Sequence, residues 1–577
     1  MPRFCAILTP DSNPENLRDE IAQLNGTTIF VDNRAALALI KNAFGRAESF
    51  RFDKLTAVGE ITLDNRDEIV SLISSQVLPE CSDAEILLRF YAQDGIAAFA
   101  RVRGMFAVAI YDGESLLLAR DAIGARTCFY ARSKNAWAVA SSLKSLRRWR
   151  RLDARINLSA VRSFLTFAYL PGAETLLENV FEMLPGQALR LWTNGEKEII
   201  NYYEPIESGT PEEQPAEFYV SGLRRILEQA TAERLPPNPS EDVGVFLSGG
   251  IDSSLVTALA RRLHASRVHT YSISFGEQLP NETAYSSLVA AHCQTTHHIL
   301  SFGGKAIASH LAESVAELDC PVGDPLTVPN LLLARAAARD GLRIVLNGEG
   351  GDPCFGGPKN LPMLIEQLHH SPDKSRARTY LSSYRKCYDD LHVLLAPEVT
   401  RQLENAPALE RLVEPFLESA RFDSYLNRLL YTNIRTKLAH HILPKVERLT
   451  ASCGILGRAP LCDKTVVDFS FQIPPQLKLR GTTEKWILKE SVRDLLPATV
   501  VDRPKSGMRV PVQQWLHGPL KDLSNELLLG KQARDRGLFN SDTIRAWMRG
   551  ESLTYARHGG KLWLLLTLEL WLRAFID

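Results

Sequence analysis

The chain has no surplus of charge. Its 67 Lys and Arg are matched by 67 Asp and Glu, so no global field would draw it to nucleic acid, and a generic DNA or RNA binder is disfavoured. It also lacks a long hydrophobic run. No window approaches 18 consecutive apolar residues, and the strongest candidate, KLWLLLTLELWLRAF near the carboxyl end, is too short to span a bilayer and is expected to be a buried helix. The start, MPRFCAILTPDSNPENLRDE, has proline and acidic residues where a secretory signal needs a longer apolar stretch. A cytoplasmic protein with no membrane partner is expected. The nine cysteines are odd in number, scattered and nowhere spaced C-x-x-C, which argues against a disulfide framework or a cysteine zinc site.

What is present is an average globular composition, 45% hydrophobic and 23% charged over 577 residues, enough for sizeable cores and for about four domains or two large ones. Residues 1–205 read as short β-type runs (TTIFVD, KLTAVGEITL, GMFAVAIYDG, SLLLARD, CFYAR, AWAVASS, QALRLWTNG) with a few helices, SDAEILLRFYAQDG being the clearest. EPIESGTPEEQPAE, from Glu204 to Glu217, has the composition of an exposed linker. A β-rich domain over 1–205 and a second domain over 206–577 are therefore expected.

In the second region strands alternate with helices: DVGVFLSGG, VHTYSISF, THHILSF and LRIVLNGEGGD each precede a helical stretch. Alternation of this kind argues an α/β fold with a parallel sheet, whose ligands sit at the carboxyl ends of the strands. Residues 360–445 carry helical spacing, as in LPMLIEQLHH and LNRLLYTNI, and are expected to pack over the sheet.

Three loops carry chemistry. In VFLSGGIDSS a strand delivers Leu247, Ser248, Gly249 and Gly250 into a turn that opens a helix with Asp252, Ser253 and Ser254. Glycines admit a ligand close to the backbone, and helix-start N–H groups with two hydroxyls make an anion cradle. The loop is not G-x-x-x-x-G-K, so no lysine is poised for γ-phosphoryl transfer, and Asp252 offers a carboxylate suited to Mg²⁺. Pyrophosphate is the expected bound moiety. For a bare Gly-Gly pair, a tight turn with Asp252 as a cap would be the plainer reading. NGEGGDPCFGG, with Gly348, Glu349, Gly350 and Asp352, should leave the sheet on the same edge, so that Asp352 faces Asp252 as a second metal ligand. DRPKSGMRVP presents Arg503, Lys505 and Arg509 on a loop stiffened by two prolines, and a lysine there would serve as electrostatic stabiliser or general acid.

With these residues in view, nearly the whole chain resembles the class B asparagine synthetase family, whose relatives include β-lactam synthetases and lasso peptide cyclases. SGGIDSS is similar to that family's pyrophosphate loop, GEGGDPCFGG to its GEGxDExFGG segment, and RPKSGMRVP to its R-x-K loop. In the first half, SDAEILLRFYAQDG, VRGMFAVAIYD, LLLARDAIGARTCFY and ASSLKSL resemble a glutamine amidotransferase domain of the Ntn type. The resemblance implies ATP and Mg²⁺ as cofactors, adenylation of a substrate carboxylate with release of pyrophosphate, and displacement of AMP by an amine. It assigns Mg²⁺ to Asp252 and Asp352, stabilisation of the tetrahedral state to Lys505, and a place beside the acyl group to Glu349.

The departures narrow the reading. The family's glutaminase needs an amino-terminal cysteine, whose own amine acts as base. Here Cys5 lies inside the chain and is followed by Ala6 instead of glycine. The family's Asn-Gly-Glu segment is Val58-Gly59-Glu60, without the asparagine of the oxyanion hole. An amino-terminal domain that no longer hydrolyses glutamine is expected, with Glu60 and Asp83 as relics of the glutamine pocket. E-x-R-x-P-F-L-D is replaced by Leu456-Gly457-Arg458-Ala459-Pro460-Leu461-Cys462-Asp463, and Pro353 follows the metal aspartate, which favours a less polar acyl substrate than aspartate. Tyr380, Tyr384 and Tyr388 offer phenols for proton transfer, although their spacing of four equally suits core packing.

The expected protein is therefore an AMP-forming amide ligase acting on a small-molecule or peptide carboxylate and an amine, compatible with a homodimer. An asparagine synthetase using glutamine or ammonia, and a non-catalytic scaffold that retains the fold, stay open beside it.

Overall fold

The computed structural model describes residues 3–40, 47–74, 80–207, 214–276, 282–357, 360, 363–365, 375–383, 386–504, 508, 510–550 and 558–577. The chain divides into two compact units. One is Met1–Asn157 with Gly172–Pro205 and Asp463–Thr465; the other is Leu158–Pro171 with Ile206–Cys462 and Val466–Asp577. The helix Leu158–Phe167 thus belongs to the second unit although it precedes residue 205.

Among its described residues the first unit has twelve strands: β1 (Arg3–Leu8), β2 (Thr27–Val31), β3 (Ala35–Ile40), β4 (Ala47–Phe52), β5 (Leu55–Leu63), β6 (Gly104–Tyr111), β7 (Ser115–Arg120), β8 (Phe129–Ser133), β9 (Ala136–Ala140), β10 (Val180–Glu182), β11 (Gln187–Trp192) and β12 (Lys197–Asn201). They make two sheets, ordered β10-β8-β9-β1-β3-β2 and β12-β11-β7-β6-β5-β4. Strand alternation builds the layers. On β5, Val58 joins Phe4, Ala6, Leu37, Ala109 and Leu118 in the core between the sheets, while Ala57 and Ile61 face Ile86, Leu87 and Phe90 of the helix Asp83–Asp94. That helix starts where Ser82 accepts a hydrogen bond from the Glu85 N–H at 3.2 Å, and stops at Gly95, whose φ is 62°.

In the second unit a parallel five-stranded sheet runs β15-β14-β13-β16-β17, from β13 (Val243–Phe246), β14 (Val268–Ser274), β15 (Thr296–Ser301), β16 (Ile344–Leu346) and β17 (Leu456–Arg458). The fold class is the expected one, an α/β protein with a β-rich amidotransferase-like half and a parallel-sheet half. Because β13 pairs β14 on one side and β16 on the other, the loops after β13 and β16 part over adjacent strand ends. That is the topological switch point where open α/β sheets bind ligands.

The expected helical cover is present in part. Tyr425–Asn433, a π-helical segment Ile434–Ile442 and Leu443–Ser452 follow one another directly. Tyr380 is core here, packed among Phe167, Tyr169 and Leu429, with Tyr388 against the same cluster; Tyr384 lies outside the described residues. The apolar run near the carboxyl end forms the helix Gly559–Phe575, buried along nearly its whole length. Its one acid, Glu569, is satisfied inside by Arg573 at 2.9 Å and Arg536 at 3.4 Å. No helix among the described residues is long and apolar enough to cross a membrane.

Candidate active site

The loop after β13 is tied down by its own side chains. The Ser253 hydroxyl accepts the Ser248 N–H at 3.1 Å, lies 3.0 Å from the Ser248 hydroxyl and donates to the Gly250 carbonyl at 3.2 Å. Gly249 turns the chain at φ +80°, and a Cβ there would come within 2.7 Å of the Ser286 nitrogen, so only glycine lets this turn dock on the next helix. The loop after β16 closes from the other side. A Cβ on Gly348 would lie 2.5 Å from the Ser253 nitrogen, so the two loops touch backbone to backbone. Gly350, at φ 108°, opens the short helix Gly351–Phe355 that carries Asp352.

Leu247, Ser248, Asp252, Ser253, Gly348 and Glu349 share one cavity of about 220 Å³ with Tyr271, Asn330, Asn347, Lys445 and Met508. Gly249, Gly250 and Gly350 shape the loops without lining it. Ser254 corrects one expectation. One position further round the helix from Ser253 it faces inward, with no exposed surface and a buried hydroxyl, so it offers no contact to an anion in this arrangement. Lys505 and Arg509 lie outside the described residues. Their neighbour Arg503 is held beside the loop after β13: its guanidinium stacks over Tyr285 at 3.8 Å and pairs with Glu282, and it reaches the Gly249 carbonyl at 3.5 Å.

Asp252 and Asp352 do meet, and they meet on a residue the sequence did not single out. Lys485 is fully buried. Its ammonium lies 2.7 and 2.5 Å from the Asp252 carboxylate oxygens and 2.5 Å from Asp352 Oδ1. The lysine heads the helix Trp486–Ser491 at φ 54°, and one turn on, Lys489 donates to the Arg503 carbonyl at 3.3 Å. The only hint in the sequence is the pair of lysines in KWILKE, set in an otherwise apolar stretch where a buried cation needs anions to meet it. Two carboxylates from different loops converging on one point form the hard oxygen donor set that Mg²⁺ takes together with phosphate oxygens.

A second buried charge cluster lies at the Glu349 end of the cavity. Lys445 is 2.6 Å from Asp324, and His441, on the π-helical segment, is 3.4 Å from the same carboxylate and stacked on Tyr169. Burial alone would raise the Asp324 carboxyl, but Lys445 and His441 hold it well below the carboxylate range. Burial lowers the His441 imidazole to about 4, offset only in part by Asp324. Burial also works against the Lys445 ammonium, yet Asp324 and Glu349 raise it on balance. The pair is ionised beside a neutral histidine. Sequence spacing gives no sign of it, because Asp324 lies 121 positions before Lys445 in the chain.

A family model described as asparagine synthase matches residues 222–573. The chain belongs to the asparagine synthase family. Membership makes it a ligase of that family's ATP-dependent, amide-forming kind. A second model, described as a glutamine amidotransferase domain, matches residues 68–203. Asparagine synthetase [glutamine-hydrolyzing] 1 of Bacillus subtilis is 25% identical over 85% of this chain and 80% of its own length. A putative asparagine synthetase [glutamine-hydrolyzing] of Mycobacterium bovis is 28% identical over 89% and 83%. Amidase chry2 of Gibberella zeae is 24% identical over 81% and 78%.

Proposed function

We propose that this family member is an AMP-forming amide ligase that adenylates a small-molecule or peptide carboxylate and couples it to an amine, in specialised metabolite or modified-peptide biosynthesis, without using glutamine. The observation that carries the synthetase half is the convergence of Asp252, Asp352 and Lys485 beside the Ser248–Ser253 loop. A substrate carboxylate oxygen attacks the α-phosphorus of ATP, and the bond to the bridging oxygen breaks, releasing pyrophosphate. The amine nitrogen then attacks the acyl carbon, the acyl–oxygen bond to AMP breaks, and the nitrogen gives up one proton to solvent. Loop N–H groups and the Ser248 and Ser253 hydroxyls hold the pyrophosphate, and Lys485 balances its charge. Asp252 and Asp352 would hold Mg²⁺, which supplies further neutralisation of the leaving group. Glu349 and Lys445 border the acyl position, and Lys505, two residues from the anchored Arg503, is assigned the tetrahedral state.

The loss of glutamine use is supported by Cys5. It sits in the middle of β1, paired with Ala38 on β3 and Ala140 on β9, with no exposed surface. Burial holds its thiol far above the usual range, where no nucleophilic thiolate forms. Val58, at the asparagine position, is part of the core between the sheets. Glu60 accepts from the Ser141 hydroxyl at 2.6 Å, and Asp83 from Arg66 at 2.6 Å and the Leu63 N–H at 2.9 Å, so both acids have structural partners. On the acceptor side, Leu456 and Pro353 are buried apolar residues where the resemblance expects acids. The same reading makes the protein cytoplasmic, compatible with a homodimer, with no nucleic-acid partner.

The names of the relatives favour a second reading, an asparagine synthetase. The deciding experiment incubates the full chain with ATP, Mg²⁺, aspartate and either glutamine or ammonia, beside a Cys5→Ala control, and follows glutamate release, asparagine and AMP. No Cys5-dependent glutamate and no asparagine, together with ATP–pyrophosphate exchange elicited by other carboxylates, is the expected result. Cys5-dependent glutamate with asparagine formation would replace the proposal by the second reading.

A further inference from the structure

At the far end of the helix Thr327–Arg339 from the cavity, three side chains meet outside the site described above. Asn330 and Leu333 of this helix line the cavity; Asp340 follows its last turn, roughly 15 Å along the axis from Asn330. There His269 of β14, His298 of β15 and Asp340 each place one donor atom within 4.8 Å of the others. His269 Nδ1 is 3.3 Å from His298 Nε2, and His298 Nε2 is 3.9 Å from Asp340 Oδ2. We propose that His269, His298 and Asp340 form a divalent transition-metal site, with zinc the ion their donors suit.

The hydrogen bonds around the three side chains leave their facing atoms able to take a cation. Asp242 Oδ2 lies 3.3 Å from His269 Nε2 and places that ring's proton there, which leaves Nδ1 a bare lone pair. Asp340 Oδ2 is already an acceptor, taking the Tyr271 hydroxyl at 2.6 Å. A proton on His298 Nε2 can meet the His269 Nδ1 lone pair while Tyr271 meets Asp340; with that proton released, a cation would take the lone pairs of all three atoms at once. Imidazole nitrogens with a carboxylate select a borderline ion over Mg²⁺ or Ca²⁺.

The geometry agrees. With zinc bonds of about 2.0–2.1 Å, neighbouring ligand atoms of a tetrahedron lie roughly 3.3 Å apart, the separation already found between the two histidines. The carboxylate needs to move in by about half an ångström toward His298, and by up to roughly 1.5 Å toward His269, to match, and Asp340 is an exposed residue after a helix end, free to make that shift. Outer partners orient each ligand, as metal sites require. Asp242 fixes His269 and is itself held by the Ser266 hydroxyl at 2.6 Å; Tyr271 fixes Asp340 and stacks on His298 at 4.8 Å. Partial exposure of His298 and Asp340 leaves a solvent side for a water as fourth ligand. Bound there, the ion would staple β14 and β15 to the helix that borders the cavity.

The test is equilibrium dialysis of the chelator-treated full chain against micromolar Zn²⁺, with Co²⁺ absorption as a second readout. One ion per chain is expected, with a tetrahedral Co²⁺ spectrum and a rise in Tm on adding zinc. His298→Gln should bind zinc at least about tenfold more weakly and show no zinc-dependent rise in Tm, while ATP–pyrophosphate exchange is retained. Asp340→Asn, at an exposed position, keeps the test sound if His298→Gln fails to fold, and should alter the Co²⁺ spectrum. Failure of the wild type to bind zinc, or binding that both variants leave unchanged, would overturn the site.

Discussion

Lys485 Nζ stands 2.5 Å from Asp352 Oδ1 while also gripping Asp252, so the acids of two different loops are joined through one buried ammonium. Lys485→Ala is expected to lower ATP–pyrophosphate exchange by about a hundredfold or more, the usual cost of removing a fixed charge from a polyphosphate site. Lys485→Arg should recover part of it. A rate within about threefold of wild type would remove the lysine from the site.

Arg503 and Glu282 form an ion pair whose side chains are each 13% exposed, and the same guanidinium covers Tyr285. Arg503→Ala and Glu282→Ala should each raise the KM for ATP by releasing the 502–504 segment from the pyrophosphate loop. Because the two act through one contact, the double variant should cost no more than the worse single one, a coupling of about 1 kcal/mol or more in a double-mutant cycle. Additive losses would show that they act separately.

His441 gives stability a pH dependence. Its folded pKa of about 4 lies below the unfolded value of about 6.5. Below pH 6.5 the unfolded chain takes up this proton and the native chain does not, so stability falls with pH between 6.5 and 4. From pH 7.5 to 5.5 the loss from this residue is about 1 kcal/mol. Asp324 acts in the same direction at lower pH, since its depressed pKa contributes stability that disappears as the carboxylate is protonated. Urea midpoints at the two pH values should separate for the wild type and draw together in His441→Gln.

Glu569, 3% exposed in the helix Gly559–Phe575, neutralises Arg536 and Arg573. Glu569→Gln should destabilise the protein by about 1 kcal/mol, because the Arg573 and Arg536 guanidiniums lose a buried carboxylate, although Arg536 keeps Asp577 at 2.7 Å. The check is a chemical denaturation curve with unchanged m-value.

The parts of this molecule that a sequence displays are those where local chemistry and final structure coincide. β14 and β15 are runs of β-branched and aromatic residues, and the pyrophosphate loop is a strand, two glycines and a helix start in ten consecutive residues; each reads directly. β3 was missed because AALALI has the composition of a helix and becomes a strand only between β1 and β2. β17 is three residues long and depends on pairing with β16. In the site, Asp252 and Asp352 announce themselves by their glycines. Lys485 is far less legible, since it stands in the turn ahead of a short helix and owes its role to two residues far away in the chain. The Asp324, His441 and Lys445 cluster is hidden for the same reason: long-range pairing leaves no periodic trace.

The 233 positions between Asp252 and Lys485 also set a timetable. At about 5–20 residues per second, a ribosome releases the pyrophosphate loop roughly ten to fifty seconds before the lysine that balances it. Only in the later part of that interval, once Asp352 has emerged, are the strands β13 to β16 and both acids made while Lys485 is still to come. The nascent chain thus joins the two acids through a lysine in one late step, and a product cut short between β17 and Lys485 would contain all five strands of the sheet and lack that link.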